Sequence, residues 1–381
     1  MVTPTFRLGS IFGIPVGLHW SLVVILGLLT WNLSVALPGA AGAASVAVAM
    51  VSAAMLFVSV LAHEIAHSIV ARHAGVRVDG ITLWMLGGVA RLDGEVASAR
   101  DEFRIAIAGP ATSVLLALGF GAVAVAGDVL AVPTVVVGGL SWLALINGVV
   151  AVFNMIPAAP LDGGRVLAAG LWAHWNDKER AEVSAARAGR AFGWALVGIG
   201  LYGFLVAPAA VGVWPALLGW FVLTAAGMER RVAELRRDLR GVTVSDAMMP
   251  VDEHEPGWLT VDAFADHVAA STASAWVVDR WDGTEAGIVT VATLRAVPVH
   301  ARSTTRVADV AVPLERLRSA SPDDALARAW TRSGPSGLVA PHLVVRDDRG
   351  DDARIVGFVD PDAVEAVRRG HTSAGSDGVT L

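Results

Sequence analysis

His63, Glu64 and His67 stand in the order His-Glu-Ile-Ala-His within an otherwise apolar run. On a helix this spacing puts both imidazoles on one face, a placement that suits two ligands of a single zinc ion. Glu64 lies beside them, where a carboxylate can take a proton from an attacking water and pass it to a leaving amine. A catalytic zinc needs a third protein ligand and an open position. The chain contains no cysteine, so thiolate sites are excluded and that ligand must be His, Asp or Glu. Asp162 is the only carboxylate between Asp128 and Asp177, and it follows two helix-breaking prolines in Phe153-Asn154-Met155-Ile156-Pro157-Ala158-Ala159-Pro160-Leu161-Asp162-Gly163-Gly164-Arg165. An aspartate there also suits the N-cap of a helix over Gly163 to Trp175, so two roles compete for it.

The surround raises the stakes for these side chains. Of 381 residues, 54% are hydrophobic and only 17% charged, and the mean hydropathy is +0.58, too apolar for an ordinary soluble protein. Leu8 to Ala62, Val129 to Leu161 and Ala191 to Met228 contain no Asp, Glu, Lys or Arg, and a shorter stretch runs from Ile105 to Gly127. A polar turn flanked by Val58-Ser59-Val60-Leu61-Ala62 and Ser68-Ile69-Val70-Ala71 is costly in lipid unless it has partners, and marks a functional site.

Runs of about 20 apolar residues place spanning helices near 18–37, 45–74, 103–127, 134–156, 190–207 and 211–229. Six crossings return both ends to one side. Arg7 and the groups Arg72 to Arg104, Arg165 to Arg190 and Arg230 to Arg240 fall in alternate connections, whereas the turns near 38–44, 128–133 and 207–213 hold no Lys or Arg. Basic residues collect in cytoplasmic loops, so a multi-pass protein of the cell membrane with cytoplasmic N- and C-termini is expected. The first apolar region is far longer than that of a signal peptide, so the start reads as mature. Arg7 to Gly17 and Asp79 to Gly94 read as strand, turn and strand. Open strands cannot face lipid, so this small membrane-associated sheet must lie at the interface or in a protein-lined cavity. The expected fold is an α-helical polytopic membrane protein of six helices and a small sheet, followed by a soluble α/β part.

The His-Glu-x-x-His pattern in an early span, Asn154-x-x-Pro157-x-x-Pro160-x-Asp162-Gly163 in a later one, and soluble modules behind them resemble the site-2 proteases. These are zinc intramembrane metalloproteases of the M50 type, here in the bacterial branch with C-terminal CBS domains. The resemblance covers about Arg7 to Arg240. It implies one zinc per chain held by His63, His67 and Asp162, Glu64 as catalytic base, and Asn154 as a holder of substrate or oxyanion. Asn154 could instead bond backbone freed by Pro157. Gly87-Gly88 resembles the glycine-bearing loop near the active site, with a tight turn as the plain alternative. Gly109-Pro110 resembles the Gly-Pro of the third core span and reads as a packing or kink element. His19 reads as an interfacial histidine.

The implied reaction is hydrolysis of a peptide bond in a transmembrane segment. A helical carbonyl is hydrogen-bonded and shielded, so substrate should bind as an extended strand, with the edge of the 79–94 sheet supplying backbone partners. The substrates implied are membrane-anchored proteins such as anti-sigma factors or signal-peptide remnants, in regulated intramembrane proteolysis.

Charge divides the chain near Arg240: residues 1–240 carry net +2 and 241–381 net -8. The expected organisation is a metalloprotease domain over 1–240, tandem CBS domains over 241–370 and a disordered tail over 371–381. Val242 to Pro250 resembles a CBS opening, and two approximate strand-helix-strand-strand-helix copies follow. Ala275 to Asp279 with Gly287 to Thr290, and His342 to Arg346 with Gly357 to Asp360, read as hairpins. CBS pairs bind adenine nucleotides through a Thr or Ser and an Asp three residues on. Here those positions hold Thr290 with Thr293 and Asp360 with Ala363, a departure that favours a structural or dimerising pair, although Asp362 stands one place away. The partners implied are a transmembrane substrate, membrane lipid and a second copy bound through the CBS domains. No basic stripe points to nucleic acid. A transporter or channel gated by CBS domains, and an inactive scaffold binding membrane helices, are the competing classes. The first predicts charge along a path, and the second predicts loss of Glu64 or Asp162, both of which are present.

Overall fold

The computed structural model describes residues 4–376 except 38–41, 86, 95, 207–208, 252–253, 270, 272, 274, 315–316, 333–342 and 348–353. Contacts divide the chain into two compact units, Val2–Glu234 and Leu235–Leu381.

The first unit opens with a hairpin, β1 (Phe6–Ile11) and β2 (Ile14–Leu18). Its turn has positive φ at both Phe12 and Gly13, the geometry of tight two-residue hairpins. Two helices follow, α1 (Ser21–Ala36) and α2 (Ala43–His73), then a second hairpin, β3 (Arg77–Trp84) and β4 (Gly87–Asp93). The two strand segments expected from the sequence join in one sheet of order β1-β2-β3-β4, with β2 and β3 parallel. The helices between them form the crossover that a parallel pair requires. Ile14, Ile81 and Leu83 of the sheet pack against Val60, Leu61 and Ile65 of α2, which ties the sheet to the turn bearing His63 and Glu64.

Further helices follow: α3 (Ala99–Val129), α4 (Thr134–Asn154) and, after the proline break, the shorter α5 (Asp162–Trp175) and then α6 (Lys178–Val206). Ser98 caps α3 by accepting the Asp101 N–H at 3.1 Å. The last helix is α7 (Ala209–Asp238). Four of the expected crossings, α2, α3, α4 and α6, are long and apolar enough to span a bilayer. The other two correspond to α1, with 16 residues, and α7, in which 20 uncharged residues precede the charged run 229–238. α6 starts twelve residues before the apolar run expected at 190–207, because an amphipathic first half extends the helix without an apolar signature.

Small residues let the spans approach closely. A side chain at Gly139 of α4 would come within 2.7 Å of Ser52 Oγ on α2. One at Gly200 of α6 would come within 2.5 Å of the Ala216 backbone on α7.

The second unit contains two copies of one motif. The first is β6 (Glu255–Pro256), α9 (Val261–His267), β7 (Ala275–Asp279), β8 (Glu285–Thr290) and α10 (Val291–Ala296), preceded by α8 (Val244–Ala247) and β5 (Met249–Pro250). Two short helices, α11 (Val299–Arg302) and α12 (Val307–Val310), lead to the second: β9 (Arg318–Ala320), α13 (Leu326–Arg332), β10 (Leu343–Asp347), β11 (Arg354–Val359) and α14 (Pro361–Ser376). In each copy the first strand is parallel to the second and the last two form an antiparallel hairpin. The connection before each copy pairs with the hairpin of the other, β5 with β11 and Val312 with Ile288. Leu235 in the last turn of α7 and Leu239 just after it pack into this unit, so its core begins before residue 241. α14 runs on past Gly370 to Ser376, into the tail expected to lack order; residues 377–381 lie outside the described residues.

Candidate metal centre

His63, Glu64 and His67 occupy consecutive turns of α2, and both imidazoles are 6% exposed. Asp162 is brought to them by the break after α4. Leu161 takes the N-cap position of α5 and Asp162 becomes the first helical residue, with no side-chain cap bond. Its carboxylate is turned inward instead: Oδ2 lies 3.1 Å from His63 Nε2 and 3.3 Å from His67 Nε2. The two Nε2 atoms are 3.1 Å apart. Of the two competing roles for Asp162, the cluster and not the cap is realised.

The triad fits a zinc ion by its geometry. Ligands at about 2.0–2.1 Å in a tetrahedral array lie about 3.4 Å from one another, close to the three edges observed. The outer contacts agree. His67 Nδ1 lies 2.6 Å from the Ile105 carbonyl oxygen, which can only accept, so the proton of the neutral ring sits on Nδ1 and the Nε2 lone pair faces the cluster. His63 Nδ1 lies 2.9 Å from Ser113 Oγ. Among the described residues no other group of three or more His, Asp or Glu brings its ligand atoms within 4.8 Å.

α3 forms the wall behind the imidazoles. Ile105, Gly109 and Ser113 recur every four residues and share one face, all buried. A Cβ at Gly109 would lie 2.2 Å from His67 Nε2 and 2.4 Å from His63 Nε2, so only glycine leaves room for both rings. The expectation that Gly109-Pro110 is a packing or kink element understates it, because Gly109 lies directly against His63 and His67. Ser113 and the Ile105 carbonyl were not singled out by the sequence reading. Their signal was the four-residue recurrence with Gly109 inside an apolar helix.

On the opposite side Gly88 of β4 abuts Glu64. A Cβ there would fall 2.3 Å from Glu64 Cγ and 3.2 Å from its Oε1. Gly87 has φ +133°, a conformation that side chains disfavour. Arg165, one turn after Asp162, donates from Nε to Glu102 Oε1 at 2.8 Å and ties α5 to the start of α3.

Asn154 ends α4 and is not part of the triad; its side chain makes no hydrogen bond among the described residues. A different asparagine is buried in this helix. Asn147, 2% exposed, bonds the Leu143 carbonyl at 2.8 Å and Ser59 Oγ of α2 at 3.4 Å. His19 lies outside the cluster and pairs with Ser21 Oγ at 2.7 Å, and its backbone N–H bonds the Leu83 carbonyl.

In the second unit Thr290 accepts the Thr293 N–H at 3.1 Å and caps α10. Asp360 Oδ1 accepts the Ala363 N–H at 2.6 Å at the start of α14.

A family model described as peptidase family M50 matches residues 51–136 and 121–196. The chain is 41% identical to Rip3 of Mycobacterium tuberculosis, by name a zinc metalloprotease, over 362 residues, 94% of this chain and 91% of that one. It is similar to a site-2 protease from Methanocaldococcus jannaschii at 31% identity and TM-score 0.43, over 59% of this chain and 95% of that one. The CBS domain of a bacterial CNNM/CorC family Mg2+ transporter is similar at 18% identity and TM-score 0.29, over 37% of this chain and 84% of that one.

Proposed function

The chain belongs to peptidase family M50, and from that membership we propose that it hydrolyses peptide bonds within membrane segments at the centre built from His63, Glu64, His67 and Asp162. It is a membrane-embedded zinc metalloprotease. The observation that carries the site assignment is the three-way approach of His63 Nε2, His67 Nε2 and Asp162 Oδ2 at 3.1 to 3.3 Å.

His63, His67 and Asp162 would hold the zinc. When bound, the ion supplies Lewis acidity that polarises the scissile carbonyl and acidifies water. Glu64 takes the proton from the attacking water and delivers it to the leaving nitrogen. The free edge of β4 receives the substrate as an added strand, since Gly88 lies beside Glu64 and, with Gly87, offers backbone without side chains. Asn154, at the end of α4, contributes a polar group to the substrate or the developing oxyanion. The substrates are single-span, membrane-anchored proteins of the anti-sigma-factor or signal-peptide-remnant kind, and the protein sits in the cell membrane with both termini cytoplasmic, a reading supported by the arginines in alternate connections.

The second unit acts as a tandem CBS regulator. The connection before each motif copy pairs with the hairpin of the other, and a CBS pair of this kind associates with a second copy of the chain. Thr290 and Asp360 are occupied as helix caps, which favours a dimerising role over adenine-nucleotide binding. The enzymatic test is a Glu64→Gln variant. It should keep zinc, trap an uncleaved membrane substrate and lose turnover; turnover at the wild-type rate would refute the assignment of Glu64. The regulatory role is tested by deleting 242–381, which should change turnover or assembly; no change in either would refute it.

A further inference from the structure

The two imidazoles differ in what holds their outer nitrogens. His67 faces a carbonyl oxygen, which only accepts. His63 faces the hydroxyl of Ser113, which can either accept or donate. That hydroxyl is 1% exposed and sits in an apolar helix, so no solvent competes for the bond. If Ser113 donates, the His63 proton sits on Nε2 and points at Asp162 Oδ2, 3.1 Å away, with no lone pair left for a metal. If Ser113 accepts, the proton sits on Nδ1 and the Nε2 lone pair faces His67 and Asp162. The same four side chains therefore support two hydrogen-bonded arrangements, and only the second can ligate.

We propose that Ser113 is a positioning residue of the metal centre, accepting the His63 Nδ1–H so that Nε2 is presented to the ion. This rests on the reading of His63, His67 and Asp162 as zinc ligands and deepens it. Outer partners of metal-bound histidines orient the ring and raise its basicity, and their loss weakens binding about 10- to 100-fold. Ser113 lies one helical turn from Gly109, so the segment that makes room for the rings also orients one of them.

The test uses the full-length protein in detergent, with zinc affinity read by chelator competition and the ligand field read from the visible absorption of the cobalt-substituted form. Ser113→Ala should weaken zinc about 10- to 100-fold and alter the cobalt spectrum. Ser113→Thr keeps the hydroxyl and should restore both. Ser68→Ala removes another buried serine hydroxyl, one with no hydrogen-bond partner among the described residues, and should leave both unchanged. Wild-type affinity in Ser113→Ala would overturn the proposal, as would an equal loss in Ser113→Thr, which would make the effect one of packing. Failure of the wild type itself to bind zinc would instead refute the ligand assignment, a separately recognisable result.

Discussion

His63 and Asp162 are 99 residues apart in the chain and meet at 3.1 Å, Nε2 to Oδ2, in an environment where few other charges exist. A carboxylate is brought to an imidazole there because α4 must stop. Pro157 and Pro160 end it, and the chain re-enters a helix with Asp162 at its first position.

Gly109→Ala should abolish zinc binding and turnover while leaving helical content intact. Alanine favours a helix interior over glycine by about 0.5–1 kcal/mol, so local stability is not the cause. The cause is a Cβ 2.2 Å from His67 Nε2. Circular dichroism with metal analysis on one sample checks it; bound zinc in the variant would contradict it.

Gly88→Ala should have the complementary effect. Its Cβ displaces Glu64 and not the ligands, so zinc stays and turnover falls about 100-fold, the cost of a misplacement near 1 Å. A variant that loses zinc would show that Gly88 shapes more than the base.

Much of this site was legible before the structure. His63 and His67 share a face by spacing alone, and Asp162 stood out because ionisable residues are scarce in apolar sequence. Gly109 was visible only as a kink beside Pro110, since nothing local reveals what approaches a missing side chain across a helix interface. Ser113 is marked in the sequence only by its four-residue spacing from Gly109, since its partner is 50 residues away. The strands around 7–17 and 79–94 were legible by alternation, but the parallel pairing of β2 with β3 is non-local. The start of α6 at Lys178 was hidden because its first half is polar on one side.

Glu102→Gln should lower stability without releasing zinc. The Arg165 bond at 2.8 Å joins α3 to α5, and its side chains are 34% and 13% exposed. Breaking such a charged bond costs about 1–3 kcal/mol, towards the lower end because the arginine is partly solvated. Thermal unfolding in detergent reads the shift, and zinc loss at low temperature would show instead that Arg165 holds Asp162 in place.

Asn147→Ala should weaken the α2 to α4 contact modestly. Interhelical hydrogen bonds in membranes contribute about 0.6 kcal/mol on average and up to about 1.7. A drop in midpoint with unchanged zinc content is expected; a complete loss of zinc would place Asn147 in the metal centre.

The most direct measurement is zinc per purified chain for the wild type, His67→Ala and Asp162→Ala, before and after dialysis against a weak chelator. About one zinc is expected in the wild type, retained through dialysis, with loss in both variants. Zinc retained in both variants, or none in the wild type, would contradict the ligand assignment.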